Sequence, residues 1–268
     1  MKLLHRVVHA VLVAIFLVAS PVDATSFSTD QSDLWWIATE SGWGIQLVQR
    51  GSVIFATMFV YDSSAPNGAP TWYTATMTST DGVTWTGDLY ATAGPWFGTV
   101  PFNPANVTSR KVGTMRWSPQ TLTSGTLNYS VDAVAVTKNV VRQTLALDDY
   151  SGTYLGALHG SATGCSNPAG DTPPFNAPSA TILVSQNGPA ITITISILGL
   201  AVTISGTLTQ NGQFGSVSGS YTSTGGEVGN ASVSAMNVQT NSLTANFSLA
   251  STNIGCQDAG YIAGMRSR

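Results

Sequence analysis

The side chains able to do chemistry are few. Of the three histidines, His5 and His9 fall in an N-terminal leader, and only His159 lies beyond it, in Leu158-His159-Gly160-Ser161. A hydrolytic triad needs a base beside an activated nucleophile. No Gly-X-Ser-X-Gly elbow occurs, so His159 reads as a solvent-facing histidine at a strand end. Glycoside hydrolysis needs two carboxyl groups flanking one bond, and the chain has just two glutamates, Glu40 and Glu227, far apart in sequence. Asp62, Asp88 and Asp132 could substitute, but Asp62 and Asp132 fall at expected strand ends, where turn chemistry explains them. With one histidine past the leader and two cysteines, Cys165 and Cys256, too few ligands exist for a zinc or iron site. No Walker, Rossmann or EF-hand run is present. No catalytic residue, metal or cofactor is therefore expected.

Two constellations remain. The first is charge on apolar strand faces. Lys138 and Arg142 alternate with Val134, Val136 and Val140 on one face, and Arg116 is expected to share a face with Val112 and Thr114. Glu40 is the nearest thing to a dedicated partner for one of these cations. A lone buried charge is too costly to persist, so the set reads as ion pairs that fix strand register. The competing reading is a pocket for a carboxylate, sulfate or uronate.

The second constellation is aromatic: Trp35, Trp36, Trp43, Trp72, Tyr73, Trp85, Trp96 and Phe97. Trp43 shares a face with Ile45 and Leu47 and belongs to a core. Trp35 and Trp36 are adjacent, so in an extended strand only one of them enters the same core. Core packing accounts for most tryptophans in β proteins. Flat amphipathic rings also suit stacking on sugars or holding an amphiphile, and Trp35, Trp36, Trp72, Tyr73, Trp96 and Phe97 are the candidates.

The elements that must position these groups are strands. Ile191, Ile193, Ile195 and Ile197 alternate with Thr192, Thr194 and Ser196, a period of two that puts the sets on opposite faces of a sheet. Val202, Ile204 and Leu208 continue it after a tight connection at Leu198-Gly199. Asn67-Gly68, Asp81-Gly82, Asn187-Gly188 and Asn211-Gly212 read as hairpin turns. All seven tryptophans lie before Tyr150, which with Asp148-Asp149 marks a module boundary. The second module offers about eight strands, near residues 150–158, 179–186, 190–198, 200–209, 214–221, 231–238, 242–250 and 258–266. Cys165 follows the first and Cys256 precedes the last, so in a closed barrel a disulfide between them would lock the seam. The first module offers a similar count, with a long aromatic loop over 94–109. Its strand at Ile54–Tyr61 is apolar on both faces and asks for an outer cover.

The runs Trp35-Trp36, Glu40-Ser41-Gly42-Trp43-Gly44, Trp72-Tyr73 and Gly87-Asp88-Leu89-Tyr90 resemble a β-rich module of secreted proteins of Gram-negative bacteria. Val112-Gly113-Thr114-Met115 and the stretch from Lys138 to Arg142-Gln143 extend the likeness, which covers about residues 33–144. That family has no established activity, so the resemblance implies export and a β-rich fold. The second module is similar to lipocalins and avidins only in its meander and in Tyr154-Leu155-Gly156, an analogy of fold alone.

The leader decides the expected compartment. Lys2 and Arg6 precede an apolar stretch shorter than the ~20 residues of a spanning helix, and Val22-Asp23-Ala24 supplies the small residues a signal peptidase inspects. Residues 1–24 therefore read as a signal peptide cleaved after Ala24, leaving a periplasmic or extracellular protein that does not span the membrane. Charged residues make up 9% of the chain, hydrophobic ones 43%, and the formal net charge is −3 with no basic cluster. Disorder and nucleic-acid binding are both disfavoured.

The expectation is thus an all-β chain of two antiparallel up-and-down barrel-like or sandwich-like modules, a Trp-rich one over 25–147 and a Ser/Thr/Gly-rich one over 148–268. Its expected function is non-enzymatic binding of a glycan or small amphipathic molecule through the aromatic side chains of the first module. A structural or adhesive envelope protein, able to oligomerise, is the first rival, and a hydrolase using Glu40 or an aspartate the second.

Overall fold

The computed structural model describes residues 30–64 and 67–267, so the leader and its cleavage site after Ala24 lie outside the described residues. Eight strands form the first module: β1 (Asp33–Trp36), β2 (Gly44–Arg50), β3 (Val53–Tyr61), β4 (Pro70–Thr78), β5 (Trp85–Ala93), β6 (Thr108–Pro119), β7 (Ser124–Val131) and β8 (Val134–Arg142). Each pairs antiparallel with the next, and β8 returns to β1, so the sheet closes as a barrel. The second module repeats the plan with β9 (Gly152–Thr163), β10 (Thr172–Asn187), β11 (Ala190–Ile197), β12 (Leu200–Asn211), β13 (Phe214–Ser223), β14 (Val228–Gln239), β15 (Ser242–Ser251) and β16 (Gln257–Arg266). Here β16 closes on β9. Among the described residues no helix is long and apolar enough to cross a membrane.

The period of two explains both interiors. Ile191, Ile193 and Ile195 are buried while the threonines between them are half-buried, and Ile54, Ala56 and Met58 are buried while Phe55, Phe59 and Tyr61 face outward. The Asn-Gly signals mark hairpins, but with a different division of labour from that expected. Asn187 and Asn211 are the last residues of their strands, and the loops are Gly188-Pro189 and Gly212-Gln213. Only the glycine has positive φ, 57° at Gly188 and 59° at Gly212, so glycine alone carries these turns.

The face expected for Arg116 is wrong, and a bulge is the reason. Leu89 faces Gly113 while the next residue, Tyr90, faces Lys111, which leaves Val112 as an extra residue in β6. Beyond a bulge the alternation reverses. Val112 and Met115 are buried, whereas Thr114 and Arg116 point to solvent. Arg116 therefore belongs to no inward cluster.

Cys165 and Cys256 form a disulfide across the seam, next to the Thr163–Gln257 pair of β9 and β16. At the floor of the first barrel Trp35, Trp85 and Trp117 are fully buried, with Trp35 and Trp117 packed edge to face at 4.6 Å. Buried Gln31 plugs this floor: its carbonyl accepts from Trp35 Nε1 at 3.0 Å and its side-chain oxygen from Trp117 Nε1 at 3.3 Å. The β12–β13 hairpin of the second barrel docks against the same floor. Gln213 N donates to Asp33 Oδ2 at 3.2 Å, and Thr144 in the linker donates to Gln210 O at 2.9 Å. The ends of the second barrel marked by Leu198-Gly199, Glu227 and Asp258 lie at the opposite pole from this hairpin.

Candidate functional site

The free end of the second barrel is hollow. Several inward positions there carry small residues: Gly160 and Ala162 on β9, Ala177 on β10 and Gly260 on β16. Gly160 and Gly260 sit opposite each other in the seam. A Cβ on Gly260 would stand 2.1 Å from the His159 carbonyl oxygen and 2.6 Å from the Phe247 ring, so the bare pair lets the ring lie across the wall. Register shifts in β10, between Thr172 and Phe175 and between Ala177 and Ala180, loosen the wall beside it.

The result is a cavity of about 660 Å³. Leu158, Ile195, Val202, Phe247 and Leu249 form its apolar body, and Phe175, Leu198 and Leu200 ring its entrance. Leu198 is 94% exposed at the tip of the β11–β12 hairpin, so the apolar surface continues onto the rim. Below the cavity the barrel is solid. Tyr150, Tyr154, Val184, Val217, Met236 and Leu243 are all buried, and Tyr154 donates to the Tyr150 carbonyl at 2.9 Å.

Two carboxylates face this apolar space, Glu227 just ahead of β14 and Asp258 on β16. Both are half-buried. Burial, and then the charge of Glu227, push the Asp258 carboxyl above the ordinary carboxylate range. The lining contains no lysine, arginine or histidine. Among the described residues the ion pairs are Arg110–Asp132, Lys111–Asp88, Lys138–Glu40 and Arg142–Asp33, and neither cavity carboxylate takes part. Tyr221 stands close enough for both carboxylates to hold its hydroxyl above the usual phenol range, after burial itself. That hydroxyl is buried without a well-formed hydrogen bond, Ser251 being its loose neighbour.

The residues singled out from sequence are spread over the first barrel. Trp35 is the member of its pair that enters the core, leaving Trp36 half-buried outside. Trp72 is 59% exposed and packs on Phe59 at 6.0 Å, whereas Tyr73 points inward and packs on the core. Trp96 and Phe97, 68% and 89% exposed, contact each other at 5.3 Å on the long loop. These rings form separate exposed pairs on the outside of the barrel.

The charges resolve into separate pairs. Lys138 Nζ lies 2.6 Å from Glu40 Oε2 and 5.5 Å from the Trp43 ring centroid, and Trp43 Nε1 donates to the same oxygen at 3.0 Å. Arg142 is sequestered, 3.0 Å from Asp33 Oδ2. His159 faces outward, 2.8 Å from Asn176 Oδ1, and is not part of the cavity lining.

Sequence reasoning weighed Glu227 only as a partner for Glu40 and passed over Asp258. A usable signal existed: Glu227 is one of two glutamates in the chain, and it continues the alternation of the buried Ala231 and Val233. Among the described residues no group of three His, Cys, Asp or Glu side chains is placed to hold a metal ion. Compared with known proteins, the chain matches no family model, no curated protein and no solved structure.

Proposed function

We propose that this is a binding protein whose ligand is a small amphipathic molecule, with its apolar part inside the free end of the second barrel. The observation that carries this reading is the cavity of about 660 Å³ lined by Leu158, Ile195, Val202, Phe247 and Leu249. Sites for small molecules are concave, largely apolar and roughly 300–1,000 Å³, with a few polar groups that orient the ligand. This reading moves the main site away from the tryptophans, whose exposed members Trp72, Trp96 and Phe97 remain candidates for a second, glycan-stacking surface. Export, with cleavage after Ala24, belongs to the same proposal, and the disulfide supports it because such bonds persist in oxidising compartments.

The test is uptake of the neutral dye N-phenyl-1-naphthylamine. Its fluorescence should rise saturably with wild-type protein, and Ala177→Trp, which fills the cavity, should abolish the rise while the protein stays folded by circular dichroism. No saturable signal, or a signal untouched by Ala177→Trp, overturns the reading.

A hydrolytic rival has its own observation, since Glu227 and Asp258 line one cavity and the Asp258 carboxyl is shifted toward its protonated form. It predicts turnover of nitrophenyl glycosides that Asp258→Asn removes. The predominantly apolar lining gives a sugar few hydrogen-bonding partners, and this favours the binding role.

A further inference from the structure

We infer that the occupant of the second barrel carries a cationic group, of the ammonium or amidinium class, held between Asp258 and Glu227 at the mouth while its apolar part fills the space beneath. The inference rests on the binding role proposed above and adds the charge of the ligand to it.

The argument begins with how this molecule treats charge elsewhere. Two of its inward-facing cations are matched to a carboxylate, Arg142 to Asp33 and Lys138 to Glu40, and a third, Arg266, is held by the Tyr154 hydroxyl and ring. Glu227 and Asp258 have no such match. Both face an apolar cavity with no basic side chain in its lining, and neither belongs to an ion pair among the described residues. A carboxylate removed from water without a counter-charge is costly, and two facing the same space repel each other as well. A cation arriving with the ligand offsets both costs, so the free protein holds the unmet half of an ion pair.

The same charges act against the common alternative. An apolar chain ending in a carboxylate would bring a third negative group into a site where Glu227 already raises the pKa of Asp258. An ammonium with N–H groups can donate to both carboxylates. The polarity of the site also sets the pose, because Phe247 pairs with Gly260, one inward position deeper along the strands than the Leu249–Asp258 pair.

The test uses probes that share one dodecyl chain and differ in the head group. Dodecylammonium, 1-dodecanol and dodecanoate are each titrated against the dye-loaded protein, and their dissociation constants follow from its displacement. The ammonium should bind at least about tenfold more tightly than the alcohol, and the dodecanoate more weakly than either. In the double variant Asp258→Asn/Glu227→Gln the alcohol should bind as before and the advantage of the ammonium should vanish. If the alcohol displaces the dye and the ammonium does so no better, or if its advantage survives the double variant, the inference falls and the binding role stands. If neither the dye nor any dodecyl probe enters, the binding role falls and takes the inference with it.

Discussion

Arg142 and Phe214 belong to different barrels, yet the guanidinium of the one lies 4.9 Å from the ring centroid of the other. The same guanidinium lies 4.4 Å from the Trp35 ring centroid. Its nitrogens donate to the carbonyls of Leu122, Ser32 and Asp30 and to Asp33 Oδ2. Asp33 in turn accepts from Gln213 N in the second barrel. One buried cation thus closes the floor of the first barrel and ties it to the second.

Removing that cation strands Asp33 and three carbonyls in a dry interface. Arg142→Met should therefore destabilise the protein by about 3–5 kcal/mol, the range for breaking a buried pair from one side. Chemical denaturation followed by tryptophan fluorescence measures it. A loss under about 1 kcal/mol would mean that the interface admits water.

The pair Lys138–Glu40 is chemically similar and predicts a different result. Its side chains are 28% and 42% exposed, so solvent screens the attraction. Lys138→Met should lower the thermal midpoint far less than Arg142→Met. Lys138, and then Trp43, hold the Glu40 carboxyl below its ordinary value of 4.5. A depressed carboxylate stabilises the fold above its unfolded pKa and loses that contribution as pH falls. The gap between Lys138→Met and wild type should close as pH drops below that value, and thermal scans across the acid range check it.

The contrast between these pairs shows what the sequence made legible. The alternation in Val136, Lys138, Val140 and Arg142 was enough to place both cations inside, because a strand has a strict period of two. It held no information on depth, which depends on the position of a residue between mouth and floor. For Arg116 the period itself misled, since a bulge at Val112 shifts the phase and nothing in Val112-Gly113-Thr114 announces one. Strand order and the seam disulfide were legible because short hairpins leave an up-and-down chain little choice of neighbours. The cavity was not. It arises from what small residues on β9, β10 and β16 fail to fill, a property of three strands together.

The disulfide should matter to stability and to binding alike. It closes a loop of 91 residues by sequence separation, and Cys256 itself lines the cavity. Reduction should cost the second barrel roughly 2–4 kcal/mol and weaken dye binding as the seam loosens. Unreduced, denatured protein should expose no alkylatable thiol. Two reactive thiols under those conditions would contradict the bridge.

Asp258 supplies a pH signature of opposite sign to that of Glu40. Its carboxyl is pushed above the ordinary value of 3.8, so folding raises its proton affinity and its ionisation at higher pH works against the fold. The titratable groups that face it are Glu227 ahead of β14 and Tyr221 on β13; His159 on the neighbouring strand points outward. Asp258→Asn should raise the thermal midpoint at neutral pH, and the gain should fade as pH falls through the raised value toward 3.8. A variant that melts below wild type at pH 7 would show that the carboxylate is paired in the free protein.

The tryptophans separate into two populations that mutation can tell apart. Trp35, Trp85 and Trp117 have essentially no exposed surface, and Trp35 also stacks on Arg142, so it carries packing and charge burial together. Trp35→Ala should cost at least about 3–5 kcal/mol, the range for truncating a large buried aromatic. Trp96 lies 68% exposed on the loop between β5 and β6, where its chief aromatic contact is Phe97. Truncating it removes little buried area, so Trp96→Ala should leave the thermal midpoint nearly unchanged. If this loop is the second, glycan-stacking surface, oligosaccharide titration should change tryptophan emission saturably, and Trp96→Ala should weaken that binding about tenfold, equivalent to about 1.4 kcal/mol. A panel of oligosaccharides that leaves wild-type emission unchanged removes the loop from the list of sites. The cavity in the second barrel, whose module contains no tryptophan, would then stand alone.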